Sequence, residues 1–164
     1  MFTPELIASA EAVLNVCRTR RLKLATAESC TGGLVAGALT EIAGSSDVFD
    51  RGFVTYSNQA KTEMLGVPAP VIDRHGAVSA AVALAMVEGA LKNSSADVAV
   101  AVTGIAGPGG GTDQKPVGLV YIAAHRKGSE PVAHRFHFTS GTRAGIRIDS
   151  LREALRLTLE AAEL

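Results

Sequence analysis

Seven side chains between residues 29 and 61 could carry nucleophilic chemistry: Ser29, Cys30, Ser45, Ser46, Ser57, Tyr56 and Lys61. A hydroxyl nucleophile needs a base to take its proton, but the chain has no Gly-x-Ser-x-Gly motif and no histidine in a triad context. A lysine can act as that base when its pKa is lowered and its amine is neutral. Lys61 falls in the first turn of a predicted helix, where the helix dipole favours the neutral form. The residues therefore allow a serine nucleophile with Lys61 as base and Tyr56 as relay, but taken by themselves they favour a solvated lysine and a strand aromatic.

A first glycine-bearing turn follows a β-prone run that ends near Ala27. The segment Glu28–Gly33 reads as a strand-to-helix turn, and the unpaired N–H groups of the following helix would suit a phosphate or another anion. Four residues of this turn are therefore expected to contact a ligand: Glu28, Thr31, Gly32 and Gly33. The alternative is a capped connection with Ser29 or Thr31 as the N-cap.

A second glycine-rich loop, residues 104–112, follows an apolar strand that ends near Thr103. Ligands of open α/β sheets collect beyond the carboxyl ends of the strands, so the two loops would form the walls of one polar-ligand pocket. Thr103, Gly104 and Gly107 are the residues of this loop expected to contact the ligand. Neither loop matches a Walker motif or Gly-x-Gly-x-x-Gly, which disfavours ATP hydrolysis and dinucleotide binding.

The histidines do not indicate a metal site. His134 and His137 are three residues apart on a predicted strand and would face opposite sides of the sheet. His75 and His125 have no ligand-type spacing around them, and neither His-Glu-x-x-His nor Cys-x-x-Cys occurs. We expect no metal and no other cofactor.

Composition narrows the class of protein. The chain has 164 residues, 47% of them hydrophobic, with a formal net charge of +0 and 4% aromatic residues. Nucleic-acid binders usually carry a basic face and stacking aromatics, so that class is disfavoured. No signal sequence or membrane-spanning run is evident, and two cysteines suit reduced thiols rather than a disulfide framework. A cytoplasmic protein with no membrane or nucleic-acid partner is expected.

Hydrophobic periodicity and turn signals predict alternating helices and strands. We expect helices over 4–20, 34–43, 59–65, 79–92 and 142–159, and strands over 22–27, 52–56, 97–103, 117–125 and 132–138. In the last helix, Arg143, Arg147, Arg152 and Arg156 are expected to point outward. The order predicts one three-layer α/β/α domain over residues 1–164, with a mixed, mostly parallel sheet and a C-terminal antiparallel hairpin.

Six sequence blocks together resemble a known family. They are Ala27-Glu-Ser-Cys-Thr-Gly-Gly33, Gly44-Ser-Ser46, Arg51-Gly-Phe-Val-Thr-Tyr-Ser-Asn-Gln-Ala-Lys61, His75-Gly-Ala-Val-Ser79, Thr103-Gly-Ile-Ala-Gly-Pro108 and Lys115-Pro-Val-Gly118. The blocks occur in order over nearly the whole chain. The chain is similar to the CinA C-terminal domain family (competence/damage-inducible protein), in particular its stand-alone nicotinamide mononucleotide amidohydrolases of the PncC type.

The resemblance implies hydrolysis of nicotinamide mononucleotide to nicotinic acid mononucleotide and ammonia, in pyridine nucleotide recycling, by a Ser/Lys mechanism without cofactor. It also implies that only the amidase half of the longer family members is present. If the first glycine turn holds the substrate phosphate, Ser46 is the expected nucleophile, with Lys61 as base and Tyr56 assisting. If the second loop holds the phosphate, Ser29 becomes the nucleophile. Arg51 and Arg143 are further candidates for contacting the phosphate.

Two other functions remain open at this point. One is a non-catalytic nucleotide-sensing or interaction domain linked to competence or DNA damage, and the other is an amidase for a different small amide. The resemblance and the apolar surface of several predicted helices also suggest a homo-oligomer, either a dimer or a trimer.

Overall fold

Five strands form one mixed sheet in the computed structural model, which describes residues 2–164. The strands are β1 (Leu24–Glu28), β2 (Phe49–Val54), β3 (Val98–Gly104), β4 (Leu119–Arg126) and β5 (Val132–His137), in the spatial order β2-β1-β3-β4-β5. β1 pairs in parallel with both β2 and β3, whereas the β3–β4 and β4–β5 pairs are antiparallel. Four strands therefore run in one direction and β4 runs against them.

Helices cover both faces of this sheet. They are α1 (Pro4–Arg20), α2 (Leu34–Thr40), α3 (Asn58–Leu65), α4 (Ala69–His75), α5 (Ala80–Lys92) and α6 (Arg143–Glu163), with a 3₁₀ turn at Ser45–Asp47. α1, α2 and α6 pack with one hydrophobic core, and α3, α4 and α5 with the other. The predicted three-layer α/β/α architecture with a mixed, mostly parallel sheet and a C-terminal hairpin is confirmed.

The strands divide large and small apolar residues between the two cores. In β3, Val98, Val100 and Val102 point to the α1/α2/α6 side, and Ala99 and Ala101 point to the α3/α4/α5 side. This follows from the two-residue period of a strand. The small alanine side chains let the second helical layer approach the sheet closely.

Close packing within the second layer positions α3. A Cβ added to Gly89 of α5 would lie 2.0 Å from the carbonyl oxygen of Leu65, the last residue of α3. Only glycine allows the two helices to come this near. α3 is thereby held against α5, with its inward residues Lys61 and Leu65 buried.

The structure differs from the sequence-based expectation at β2 and at residues 69–75, and by a few residues at the ends of several other elements. β2 begins at Phe49 rather than Gly52, because Asp50 and Arg51 lie on an exposed edge strand whose polar residues obscure the strand pattern. Residues Ala69–His75 form a further helix, α4, which is not among the helices expected from the sequence.

The N-terminus of α2 is occupied by a side chain of the protein itself. The Glu28 carboxylate accepts hydrogen bonds from the backbone N–H groups of Gly33 (3.0 Å), Val35 (3.1 Å) and Ala36 (2.8 Å). Glu28 ends β1 and is buried on the α2 side of the sheet. A carboxylate at this position satisfies donors that a helix start leaves unpaired and complements the helix dipole.

Replacing Glu28 with glutamine should destabilise the fold by about 2–3 kcal/mol, because an amide has one acceptor oxygen and turns an N–H group toward donors. Urea denaturation measures this free energy of unfolding. The matched control is Glu41→Gln, which changes the same side chain at the exposed C-terminal end of α2. Equal stability of the two variants would contradict the assigned role of Glu28.

Candidate active site

A cavity of about 290 Å³ opens at the carboxyl ends of β1 and β3. Its walls come from the turn after β1, the start of α3, the α4–α5 connection, the loop after β3 and the start of α6. The polar side chains that line it are Ser29, Cys30, Tyr56, Asn58, Lys61, Thr103 and Arg143. This is the sheet edge at which the sequence predicted a polar-ligand pocket.

Lys61 is the most unusual residue of this cavity, since its side chain is 1% exposed. Its Nζ donates to Ser29 Oγ at 3.0 Å and to the carbonyl oxygen of Thr55 at 2.8 Å. Burial lowers the pKa of the Lys61 amine from its ordinary value, because desolvation disfavours the charged form. Within residues 2–164, no carboxylate forms an ion pair with Lys61. The structure therefore places an amine with a lowered pKa against a serine hydroxyl.

Ser29 reaches Lys61 because of its place in the strand alternation. It follows the last residue of β1, and it shares the α3/α4/α5 side of the sheet with Ala25 and Ala27. Its backbone N–H donates to the Val102 carbonyl oxygen at 2.9 Å, which continues the pairing with β3. Only 9% of Ser29 is exposed, and it lines the cavity.

Cys30 is next to Ser29 and also lines the cavity, but its thiol is poorly suited to nucleophilic attack. Burial raises the pKa of the Cys30 thiol to about 12. A thiol with that pKa stays protonated at neutral pH, and the thiolate is the reactive form.

Tyr56 and Arg143 meet at the cavity. Arg143 Nη2 donates to the Tyr56 hydroxyl oxygen at 2.6 Å, and Arg143 Nη1 donates to the carbonyl oxygen of Gly107 at 2.7 Å. Both side chains are largely exposed, with Tyr56 60% exposed. Arg143 therefore connects the β2–α3 loop to the glycine-rich loop after β3. Tyr56 bonds to Arg143 in this arrangement rather than to Lys61.

The second glycine loop lines the cavity as predicted. Thr103, Gly104 and Gly107 all contribute to its wall. The Thr103 hydroxyl donates to the carbonyl oxygen of Ala77 at 2.8 Å and so fixes the α4–α5 connection beside this loop. Gly107 has a φ of +76°, a backbone conformation that glycine adopts without strain.

The first glycine turn is not arranged to hold an external anion, contrary to expectation. Glu28 already occupies the donors at the start of α2. Glu28, Thr31, Gly32 and Gly33 do not line the cavity, and Thr31 is fully buried. A phosphate placed there would have to displace a buried carboxylate of the same charge sign.

The structure likewise does not bring Ser46 and Lys61 together. Ser46 lies on the exposed 3₁₀ turn that precedes β2, near the amino end of the sheet. Lys61 follows the carboxyl end of β2, and a six-residue strand at about 3.3 Å per residue separates the two ends by roughly 20 Å. The expectation of a Ser46–Lys61 pair failed because sequence proximity does not show at which end of a strand a loop lies.

Arg51 also lies outside the cavity. Its Nε donates to Asp50 and its Nη1 donates to the carbonyl oxygen of Asn93. On this exposed edge strand it forms surface contacts rather than ligand contacts.

Several residues that line or support the cavity were not identified from the sequence. Asn58, Ala77 and Val78 line the cavity, and the last two fall within the His75–Ser79 block of the resemblance. Arg147 was expected to point outward, but its Nε donates to the Cys30 carbonyl oxygen and its Nη2 to that of Thr31. A helical period alone could not reveal that the turn after β1 packs against this part of α6.

Two absences apply to the described residues 2–164. No three His, Cys, Asp or Glu side chains come close enough together there to hold a metal ion. No helix in that range has the length and apolar character needed to cross a membrane.

Solved structures share this fold along the whole chain. The competence/damage inducible protein CihA from Agrobacterium tumefaciens superposes with a TM-score of 0.96 at 48% identity, over 100% of this chain and 99% of that one. A competence-damaged protein (CinA) superfamily protein from Klebsiella pneumoniae gives a TM-score of 0.91 at 35% identity, over 96% and 98% of the two chains.

Curated relatives are longer than this chain. A "Putative competence-damage inducible protein" of Caldicellulosiruptor bescii is 50% identical over 148 residues, which are 90% of this chain and 35% of the relative. A "CinA-like protein" of Akkermansia muciniphila is 63% identical over 109 residues, 66% of this chain and 26% of the relative. The chain thus spans about a third or less of the length of these two relatives. The family model described as "CinA C-terminal domain" matches residues 7–162, and the chain therefore belongs to the CinA C-terminal domain family.

Proposed function

We propose that this domain hydrolyses a carboxamide, with Ser29 as the nucleophile and Lys61 as the general base. The observation that carries the proposal is the buried Lys61 amine 3.0 Å from Ser29 Oγ, with its pKa lowered by burial. This distance is within the reach that proton transfer requires. Because Ser46 is at the other end of the sheet, Ser29 takes the role that the sequence left open between the two serines.

In the acylation step, neutral Lys61 Nζ accepts the Ser29 hydroxyl proton while Oγ forms a bond to the carboxamide carbon. The carbonyl π electrons move to oxygen and give a tetrahedral oxyanion. When that intermediate collapses, the C–N bond breaks and Lys61 returns the proton to the leaving nitrogen, which departs as ammonia. A Ser29 ester remains, and Lys61 is neutral again.

The residue after Ser29 provides a backbone donor for the oxyanion. The backbone N–H of Cys30, which lines the cavity, donates to no acceptor within residues 2–164. An N–H from the residue after the nucleophile is a common component of oxyanion holes, and one such donor contributes on the order of 3 kcal/mol to transition-state stabilisation.

Deacylation repeats the same proton path with water. Lys61 accepts a proton from the attacking water, whose oxygen bonds to the ester carbon, and then returns it to Ser29 Oγ as the ester bond breaks. The released product is the carboxylic acid. No residue other than Ser29 and Lys61 has to change its protonation state in the cycle.

We further propose nicotinamide mononucleotide as the substrate, which the resemblance to the PncC-type amidohydrolases supports. The product would be nicotinic acid mononucleotide. The carboxamide would lie at Ser29, and the phosphate would lie toward the loop containing Gly107 and Gly110, beside Arg143. Arg143 forms no ion pair with a carboxylate of the described chain, so its positive charge is not cancelled locally. A cationic, glycine-lined wall is suited to a phosphate.

Substitution of the two serines distinguishes this mechanism from the alternative in which Ser46 is the nucleophile. We expect Ser29→Ala to lower ammonia release from nicotinamide mononucleotide by at least about 10⁴-fold, the range seen when a nucleophile is removed. Ser46→Ala should keep near-normal turnover, because Ser46 is exposed and far from Lys61. A coupled assay for ammonia gives both rates.

Nicotinamide riboside, which lacks the phosphate, serves as the substrate control and should react more slowly than the mononucleotide. Loss of activity in Ser46→Ala together with retention in Ser29→Ala would contradict the assignment. Nucleotide binding by well-folded wild-type protein without any ammonia release would instead favour a sensing domain.

Lys61 should make the rate depend on pH. Its neutral form is the base, so kcat/KM should rise with pH and reach a plateau. The apparent pKa of this rise should lie below the value of about 10.4 for free lysine. Lys61→Arg should be inactive at every pH from 6 to about 10, because arginine stays protonated. The exposed residue Lys92, at the end of α5, gives a matched Lys92→Arg control. Substantial activity in Lys61→Arg would mean that the residue supplies only charge.

A further inference from the structure

Arg147 contacts the turn after Ser29 from the α6 side of the sheet, whereas Lys61 contacts Ser29 from the α3 side. It lies in the second turn of α6 and bridges two successive carbonyl oxygens, with Nε 3.1 Å from Cys30 O and Nη2 3.0 Å from Thr31 O. Its Nη2 is also 3.5 Å from the position that a Cβ on Gly32 would occupy. Arg147 forms no ion pair within residues 2–164.

This bridge fixes the orientation of the neighbouring N–H groups. In a trans peptide the C=O and the following N–H point in opposite directions. Holding the Thr31 carbonyl therefore sets the direction of the Gly32 N–H, which donates to Ser29 O at 3.0 Å. Ser29 O belongs to the same peptide as the Cys30 N–H, so fixing this carbonyl sets the direction of that N–H, which has no acceptor of its own in the described chain.

A charged donor also polarises the peptide to which it bonds. Hydrogen bonds in series strengthen one another, so a guanidinium on the Thr31 carbonyl makes the Gly32 N–H and, through Ser29 O, the Cys30 N–H better donors. The same guanidinium is planar and presents parallel donors in a fixed geometry, which lysine cannot reproduce. Geometry and polarisation thus act on the same N–H group.

We propose that Arg147 is a positioning residue that orients the oxyanion-binding N–H of Cys30 without touching the substrate. The proposal rests on the proposed function, in which Ser29 is the nucleophile. A residue that only docked α6 onto the sheet would affect the stability of the fold and leave the rate of the chemical step of the folded protein unchanged.

The test follows reaction of Ser29 with a fluorophosphonate, whose P=O group occupies the oxyanion position while Ser29 Oγ displaces fluoride. We expect Arg147→Gln to lower the limiting rate of labelling by about 10- to 100-fold. The probe concentration that gives half of this rate should change little, because ground-state binding is not affected. The labelling rate of Arg147→Lys should fall between those of the wild-type protein and Arg147→Gln. Guanidinium added far below denaturing concentrations should partly restore the labelling rate of Arg147→Gln.

Arg152→Gln is the matched control, since it removes the same charge from an exposed ion pair with Asp149 on the same helix. Thermal unfolding shows that each variant is folded at the assay temperature, and Ser29→Ala gives the background. Equal labelling rates in Arg147→Gln and Arg152→Gln would overturn the positioning role while leaving the Ser29 mechanism intact. Absence of labelling at Ser29 in the wild-type protein would overturn both proposals.

Discussion

The hydrogen bond between Lys61 and Ser29 is the interaction on which the candidate site depends. A fully buried lysine without a carboxylate partner is costly, because its charged form loses hydration that no ion pair replaces. The chain accommodates this residue by giving its Nζ a serine hydroxyl and one backbone carbonyl, and burial lowers its pKa. The same property that makes the amine unfavourable as a cation makes it suitable as a base.

The segment that carries Ser29 is held from two sides by charged groups of opposite sign. Glu28 accepts hydrogen bonds from N–H groups at the start of α2, and Arg147 donates hydrogen bonds to the carbonyl oxygens of Cys30 and Thr31. The N–H of Cys30, which lines the cavity, is left without an acceptor in residues 2–164. An unpaired donor next to the proposed nucleophile, on a turn held from both sides, agrees with electrostatic preorganisation, in which donors are oriented before the charge develops.

Much of this arrangement follows from sequence pattern, and its failures have definite physical causes. The apolar strands, the capped helices and the two glycine loops were predictable, and the loop after Thr103 does line the cavity. The assignment of the first turn as a phosphate site was wrong because it treated Glu28 as a ligand contact, whereas the side chain folds back onto α2. The period of two along Ala25, Ala27 and Ser29 could have placed Ser29 on the α3 side. The contact of Arg147 with the turn depends on tertiary packing that no local pattern contains.

The protonation state of Lys61 in the folded protein is the most direct test of this mechanism. The Nζ signals of protein labelled with ¹⁵N-lysine can be followed by NMR as the pH is raised, with the spectrum of Lys61→Arg identifying the Lys61 signal. We expect Lys61 to titrate below the value of about 10.4 for free lysine, while the exposed lysines titrate close to it. Titration of Lys61 at or above that value would mean that the amine is a cation at neutral pH, and would contradict the proposal that it is the base that activates Ser29.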